Sequence, residues 1–268
     1  MPKPLMQFLP EVDRRIQAAG GVALFLDFDG TLAPIVEDPS DAQLFEGVRD
    51  ALLRIARRNS IVTTVISGRA VEDVYLRIRL GGVIYAGNHG HEIFGRDLRF
   101  IEPDSDARRD PLRRLTEEVG SKLRHVAGVL VEDKGLTISI HFRHVAENDR
   151  PAIEEALRPC VAEAGALFRL NTGRKAFDIL PRTGWHKGAA VHWILDHLHE
   201  SALLPIYLGD DQSDEDAFAV LEDAVTVLVG SSPLTCARYR VSGPAEVYRF
   251  LLWLESSAGA PRGLTPPA

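Results

Sequence analysis

Five short runs in the chain are apolar and lack the polar alternation of a sheet with one wet face: residues 22–26, 61–66, 83–86, 206–208 and 224–229. Such runs predict strands covered on both sides, as in a parallel sheet between two layers of helices. Helical periods lie between several of them. Leu44, Val48, Leu52 and Ile55 recur at that spacing and end at Arg57-Arg58, where cations suit the helix dipole. Val71, Val74, Tyr75 and Ile78 form a second set, Val191, Ile194, Leu195 and Leu198 a third, and Val247, Phe250, Leu251 and Leu254 a last one. The alternation predicts an α/β fold with a doubly wound, Rossmann-like parallel sheet.

The alternation breaks after Pro103. Leu112, Leu115, Val119 and Leu123 predict an amphipathic helix, followed by strands over 128–132 and 136–143. In the second strand Leu136, Ile138, Ile140 and Phe142 face one way, and Thr137, Ser139, His141 and Arg143 the other. A further helix (Ile153, Leu157, Val161) precedes strands over 166–171 and 175–180, with a turn at Thr172-Gly173. An α+β unit of order αββαββ over 104–181 is therefore expected, inserted into a core of residues 1–103 and 182–268. A length of 268 residues suits roughly two domains. The Gly-, Ala- and Pro-rich stretch from Ser256 is expected to be disordered.

Thirty-one basic against 38 acidic residues leave a formal net charge of −7, which argues against non-specific nucleic-acid binding. An anionic small substrate remains compatible, because a pocket can be locally positive on an acidic protein. Two cysteines, Cys160 and Cys236, are too few for a disulfide scaffold and fit a reducing compartment. The first residues lack a signal pattern, and no apolar run approaches the roughly 20 residues of a membrane helix. The expectation is a cytoplasmic, monomeric protein without membrane or nucleic-acid partners.

The chemistry gathers at strand ends. Asp27-Phe28-Asp29-Gly30-Thr31 follows the first strand directly. Two adjacent carboxylates need a cation, a shared proton or separate tasks. One coherent division makes Asp27 a nucleophile that becomes an aspartyl phosphate, and Asp29 the general acid and then base. A turn with two solvated acids is the plainer alternative. Ser67 ends the strand over 61–66 and could hold a phosphoryl oxygen or merely cap a helix. Lys187 precedes a helix and could neutralise phosphate. Residues 210–216 hold five acids in seven positions, which suits a magnesium site better than zinc, or else an acidic helix start.

Asp27-Phe28-Asp29-Gly30-Thr31, Ser67, Lys187 and Gly209-Asp210-Asp211 resemble, in order, the four motifs of haloacid-dehalogenase-type phosphatases. The resemblance implies Mg²⁺ held by the Asp27 side chain, the Asp29 main-chain oxygen and Asp210, with Asp211 and Asp214 supporting from outside. Leu32-Ala33-Pro34-Ile35, Ile66-Ser67-Gly68-Arg69, Gly87-Asn88-His89-Gly90-His91-Glu92, Val131-Glu132-Asp133-Lys134-Gly135, His141-Phe142-Arg143 and residues 209–216 are similar to the trehalose-6-phosphate phosphatase family, whose αββαββ cap closes over the sugar. That likeness implies Arg69, Asn88, His89, Glu92, Glu132, Lys134, His141, Arg143 and Asp178 on the sugar side. The chain departs from the family pattern at Ser213 (usually Thr), Phe142 (usually Tyr) and Asp178 (commonly Glu). The implied activity is hydrolysis of trehalose 6-phosphate to trehalose and phosphate. Another sugar-phosphate phosphatase, acting on a glucosyl- or mannosyl-phosphoglycerate or a hexose phosphate, and an inactive sugar-phosphate sensor are the alternatives. Trp185 is open to sugar stacking or to hinge packing. His89 and His91 are not expected to bind metal, because carboxylates suffice.

Overall fold

Every residue from 21 to 27 is buried, as a strand covered on both faces requires. The computed structural model describes residues 1–172, 176–198 and 202–257. In chain order the strands are β1 (Lys3–Pro4), β2 (Gly21–Asp27), β3 (Ile61–Ile66), β4 (Val83–Gly87), β5 (Glu92–Gly95), β6 (Leu98–Ile101), β7 (Leu130–Asp133), β8 (Ile138–His141), β9 (Phe168–Thr172), β10 (Ala176–Pro181), β11 (Leu203–Gly209), β12 (Val225–Val229) and β13 (Tyr239–Val241). Among the described residues they make a nine-stranded sheet, β1-β13-β12-β11-β2-β3-β4-β5-β6, and a four-stranded sheet, β7-β8-β10-β9. The large sheet is parallel from β1 to β4, and β5 and β6 add antiparallel to it. The small sheet is antiparallel throughout.

The helices are α1 (Leu9–Ala18), α2 (Val48–Ala56), α3 (Val71–Ile78), α4 (Pro103–Asp106), α5 (Arg109–Leu123), α6 (Arg150–Glu163), α7 (Lys187–His197), α8 (Gln212–Val220) and α9 (Pro244–Ser257). Side chains of β2 alternate between two apolar clusters. Val22, Leu24 and Leu26 join residues of α1, α2, α3 and α9. Ala23 and Phe25 join α7 and α8 on the opposite face. The sheet is thus doubly wound, and β2 lies between β11 and β3, where a crevice opens at the strands' carboxyl ends.

The small sheet has its own core. Leu112, Leu115, Val119 and Leu123 of α5 and Ile153, Leu157 and Val161 of α6 bury against Ile138, Ile140, Phe168 and Ile179. Each fully buried aliphatic side chain contributes about 1.5–3 kcal/mol. No described helix is long and apolar enough to cross a membrane.

Several boundaries differ from the sequence reading. The strand expected from 128 starts at Leu130, because Gly128 takes a left-handed turn (φ +86°). The strand expected from 136 to 143 is ordered as β-structure only from Ile138 to His141, and a turn from Phe142 to Val145 ends it. The strand expected from 166 begins at Phe168, after a 3₁₀ turn over Gly165–Leu167. Leu44 precedes its helix, which starts after a left-handed Gly47. Ser256 and Ser257, expected in the tail, are the last two residues of α9. Gly173, Lys175 and the remaining tail from 258 lie outside the described residues.

Candidate active site

Asp27 is the last residue of β2 and is buried. Its Oδ1 accepts a 2.8 Å hydrogen bond from Lys187 Nζ, and the same ammonium donates to Asp214 Oδ1 at 2.7 Å. Lys187 opens α7, which packs on the face of the sheet shared by Ala23 and Phe25 of β2. Tyr207 of β11 donates its hydroxyl to Asp214 Oδ1 (2.7 Å), and the Asp211 amide donates to Asp214 Oδ2 (2.9 Å). Both Asp214 oxygens are therefore engaged. Burial works against the Lys187 ammonium, but Asp214 and Asp27 hold it well above its ordinary value, so it stays charged. Burial also raises the Asp27 carboxyl; Lys187 opposes that, and Asp214 and Asp210 reinforce it. Burial likewise raises Asp211, the N-cap of α8.

Asp27, Asp210 and Asp214 each bring a carboxylate oxygen within 4.8 Å of the others. Mutual repulsion in such a set is relieved by a cation, and oxygen-only donors suit a hard divalent ion. The backbone is shaped for this approach. Gly30 has φ +83°, and a Cβ there would lie 2.1 Å from Asp210 Oδ2. Only glycine satisfies both demands.

Asp29 lines the same cleft, yet its carboxylate is gripped from the side. Arg69 Nε donates to Oδ2 at 2.6 Å and Arg69 Nη2 to Oδ1 at 2.7 Å. The Arg69 guanidinium also lies 5.4 Å from the Phe28 ring. Ser67 follows β3, is buried, and its Oγ accepts from the Arg69 amide at 3.2 Å. His89 adopts a left-handed conformation (φ +58°) and packs its ring over Gly68, where a Cβ would come within 2.8 Å of it. Burial pushes His89 down to about 3, Asp178 opposing and the two lysines Lys187 and Lys134 assisting, so its ring is neutral near pH 7.

The small sheet supplies the facing wall. Glu132, Lys134, Ser139, His141, Arg143 and Asp178 line the cleft with Asp27, Asp29, Ser67, Arg69, His89, Lys187, Asp210 and Asp211. His141 Nε2 and Glu132 Oε2 are 2.8 Å apart, which holds Glu132 below its ordinary value. Lys134 Nζ donates to Ser139 Oγ (2.6 Å) and crosses to the large sheet's Gly68 carbonyl (3.0 Å). Ser139 Oγ in turn donates to Asp178 Oδ1. Asn88 ties the two walls: its Oδ1 accepts from Thr137 Oγ1 (2.8 Å), and its Nδ2 donates to the Lys134 carbonyl (3.3 Å).

Two expected positions fall elsewhere. Asn88 is fully buried in that tie rather than lining the cleft. Glu92 lines a separate groove with Val71, Glu72, Tyr75 and Arg99, because it opens β5, which lies beyond β4 toward the edge of the sheet and away from β2. Trp185 packs at the return crossing, with Nε1 donating to the Gly90 carbonyl (2.8 Å) and its ring against Phe100. Phe142 is buried against Phe177 in the small sheet's core. Sequence reasoning missed Tyr207, hidden inside an apolar run, and the apolar wall of Ile35, Val36 and Pro39.

A family model described as Trehalose-phosphatase matches residues 25–244. The chain is 37% identical over 259 residues to the trehalose-phosphate phosphatase of Mycobacterium tuberculosis, covering 91% of this chain and 65% of that one. It thus spans just under two thirds of the length of that relative. It is 36% identical over 281 residues to trehalose 6-phosphate phosphatase RA3 of Zea mays, covering 97% and 76%. The fold is similar to the C-terminal domain of Candida albicans trehalose-6-phosphate phosphatase, with a TM-score of 0.78 at 20% identity over 92% of this chain and 96% of that one. The match across residues 25–244, together with these identities, makes the chain a member of the trehalose-phosphatase family.

Proposed function

We propose that the protein is a magnesium-dependent phosphatase that hydrolyses trehalose 6-phosphate through an aspartyl phosphate on Asp27. The observation that carries this reading is the buried Asp27–Lys187–Asp214 arrangement, with Asp210 beside it, at the floor of a cleft faced by polar side chains. Residues 104–181 are read as a cap and 1–103 with 182–268 as the catalytic core. The protein is read as a monomer, since this chemistry asks for no group from a second copy. The free thiols Cys160 and Cys236 fit a reducing, cytoplasmic setting.

Asp27 and Asp210 through their side chains, and Asp29 through its main-chain oxygen, would hold Mg²⁺, with Asp211 and Asp214 steadying them. The bound ion would offset charge on the phosphoryl oxygens. Lys187 fixes the Asp27 carboxylate and adds positive charge beside the phosphate, and Ser67 orients a phosphoryl oxygen. Asp27 attacks phosphorus in line. Asp29 must carry a proton, taken up as its ion pair with Arg69 gives way to the substrate; it passes that proton to the departing sugar oxygen, and as the carboxylate it then takes one from the water that attacks phosphorus, breaks the bond to Asp27 and frees phosphate. Glu132, Lys134, His141, Arg143 and Asp178 on the cap, with Arg69 and His89 on the core, receive the sugar. Asn88 acts by holding the 134–137 turn over the cleft. Closure of the cap excludes bulk water.

The test is inorganic phosphate release from trehalose 6-phosphate, glucose 6-phosphate and a glucosyl phosphoglycerate, each with and without Mg²⁺. The disaccharide phosphate with Mg²⁺ is expected to react fastest. Faster release from another member moves the substrate assignment, and no release from any favours the sensor. Asp27→Asn is expected to abolish turnover; substantial release by that variant refutes the nucleophile.

A further inference from the structure

One wall of the cleft differs in chemistry from the others. Between β2 and α2, Ile35, Val36 and Pro39 present apolar surface to a space otherwise lined mainly by charged and polar groups. Val36 packs on the core beneath, but Ile35 joins no apolar cluster and is 47% exposed. Folding gains little from a large aliphatic side chain left at the mouth of a charged cleft.

The loop is held more firmly than a connection needs. Asp38 turns it by accepting from the Ser40 amide (2.8 Å) and hydroxyl (2.7 Å). Arg69 Nη2 donates to the Pro39 carbonyl at 2.8 Å. Arg77 Nη1 donates to the carbonyls of Ser40 (3.1 Å) and Ala42 (2.6 Å). Asp73 accepts from both arginines, from Arg69 Nη1 at 2.8 Å and from Arg77 Nε at 2.9 Å. Since Arg69 Nη2 also holds Asp29, the loop is seated at a set height beside that carboxylate.

A sugar ring carries hydroxyls on its rim and C–H bonds on its faces. A ring lying between this loop and the face of β7, β8 and β10 could turn hydroxyls toward Glu132, His141 and Asp178 and set a C–H face on Ile35. Phosphate gains nothing from such a surface, so its effect falls on the sugar alone. Resting on the function proposed above, we infer that Ile35, with Val36 and Pro39, is an apolar platform that selects the sugar part of the substrate, seated by Asp73 through Arg69 and Arg77.

Ile35→Asn, Ile35→Leu and Arg77→Met test this beside the wild type, reading KM and kcat for trehalose 6-phosphate and the inhibition constant of inorganic phosphate. Ile35→Asn is expected to raise KM by about tenfold, the size of a lost apolar contact in a specificity pocket, and to leave the phosphate inhibition constant unchanged. Arg77→Met should move KM in the same direction by less, and Ile35→Leu should keep the wild-type KM. An unchanged KM in Ile35→Asn overturns the platform. A rise in KM matched by the phosphate constant means general distortion and overturns it too. A wild type inactive on trehalose 6-phosphate overturns the functional reading and the platform together, whereas an active wild type with an unaffected Ile35→Asn overturns the platform alone.

Discussion

A lysine with 2% of its side chain exposed stays charged only where counter-charges replace water, and Lys187 has two, Asp27 and Asp214. Removing one partner of a buried ionic set leaves the rest without compensation, which costs about 3–5 kcal/mol. Lys187→Met is therefore expected to lower unfolding free energy by about that amount in the absence of divalent cations. Urea denaturation monitored by circular dichroism measures it; stability equal to wild type would show that Asp27 and Asp214 do not depend on this cation. The pairing of Lys187 with Asp27 was legible in part, since each residue stands at the edge of a periodic run. Tyr207, the fourth member of the set through Asp214, was not. A tyrosine within an apolar strand looks the same whether its hydroxyl meets a carboxylate or solvent.

At the scale of elements, the β5–β6 hairpin and the helix after it show why local signals fail. Gly95 pairs with Leu98, so Arg96 and Asp97 form a two-residue turn, both with positive φ. That geometry ordinarily calls for Asn-Gly or Asp-Gly, and Arg-Asp hides it. The hairpin buries His91 against α4. The Ser105 hydroxyl donates a hydrogen bond to Glu102 Oε2 (2.6 Å), so its oxygen accepts from His91 Nδ1, 2.7 Å away. Burial pushes His91 down to about 4; Glu102 opposes, and Arg169 and His186 reinforce the shift. The unfolded chain, with an ordinary value near 6.5, then binds a proton that the folded chain refuses. Stability should accordingly fall as pH drops from about 6.5 to about 4, by on the order of 3 kcal/mol from this group. His91→Asn should flatten that part of the slope in urea titrations at pH 7, 5.5 and 4.5, leaving the contribution of His89. A slope unchanged by the substitution would assign the acid sensitivity elsewhere.

Across the whole molecule, the two apolar clusters of the large sheet and the separate core of the small sheet are joined at the cleft by a few polar ties, Asn88 to Thr137 and Lys134 to Gly68 among them. Units with separate cores open with their own free energies. Calorimetry of the metal-free protein is expected to give a total enthalpy larger than the van't Hoff value, with the small α+β unit melting first. A single transition with equal enthalpies would mean that the ties couple both units fully. The charge of −7 finds its place at this scale as well. Lys187, Lys134, Arg69 and Arg143 converge on one cleft with the carboxylates of Asp27, Asp29, Glu132, Asp178, Asp210 and Asp211, so the cleft itself shares the acidic excess.

The parallel sheet, the break near Pro103, and the acids and lysine at strand ends were determined by the sequence itself. Apolar runs and helical periods are local patterns, and a residue at the end of a buried strand must reach the crevice whatever packs beyond it. Tertiary structure alone decided the rest. Arg69 grips Asp29 because β3, which precedes it, pairs with β2, Glu92 is set apart from the cleft because it opens a strand beyond β4 toward the sheet's edge, and Ile35 lines the cleft because two arginines far along the chain hold its loop. Those arrangements depend on pairings between segments distant in sequence, which no local pattern encodes.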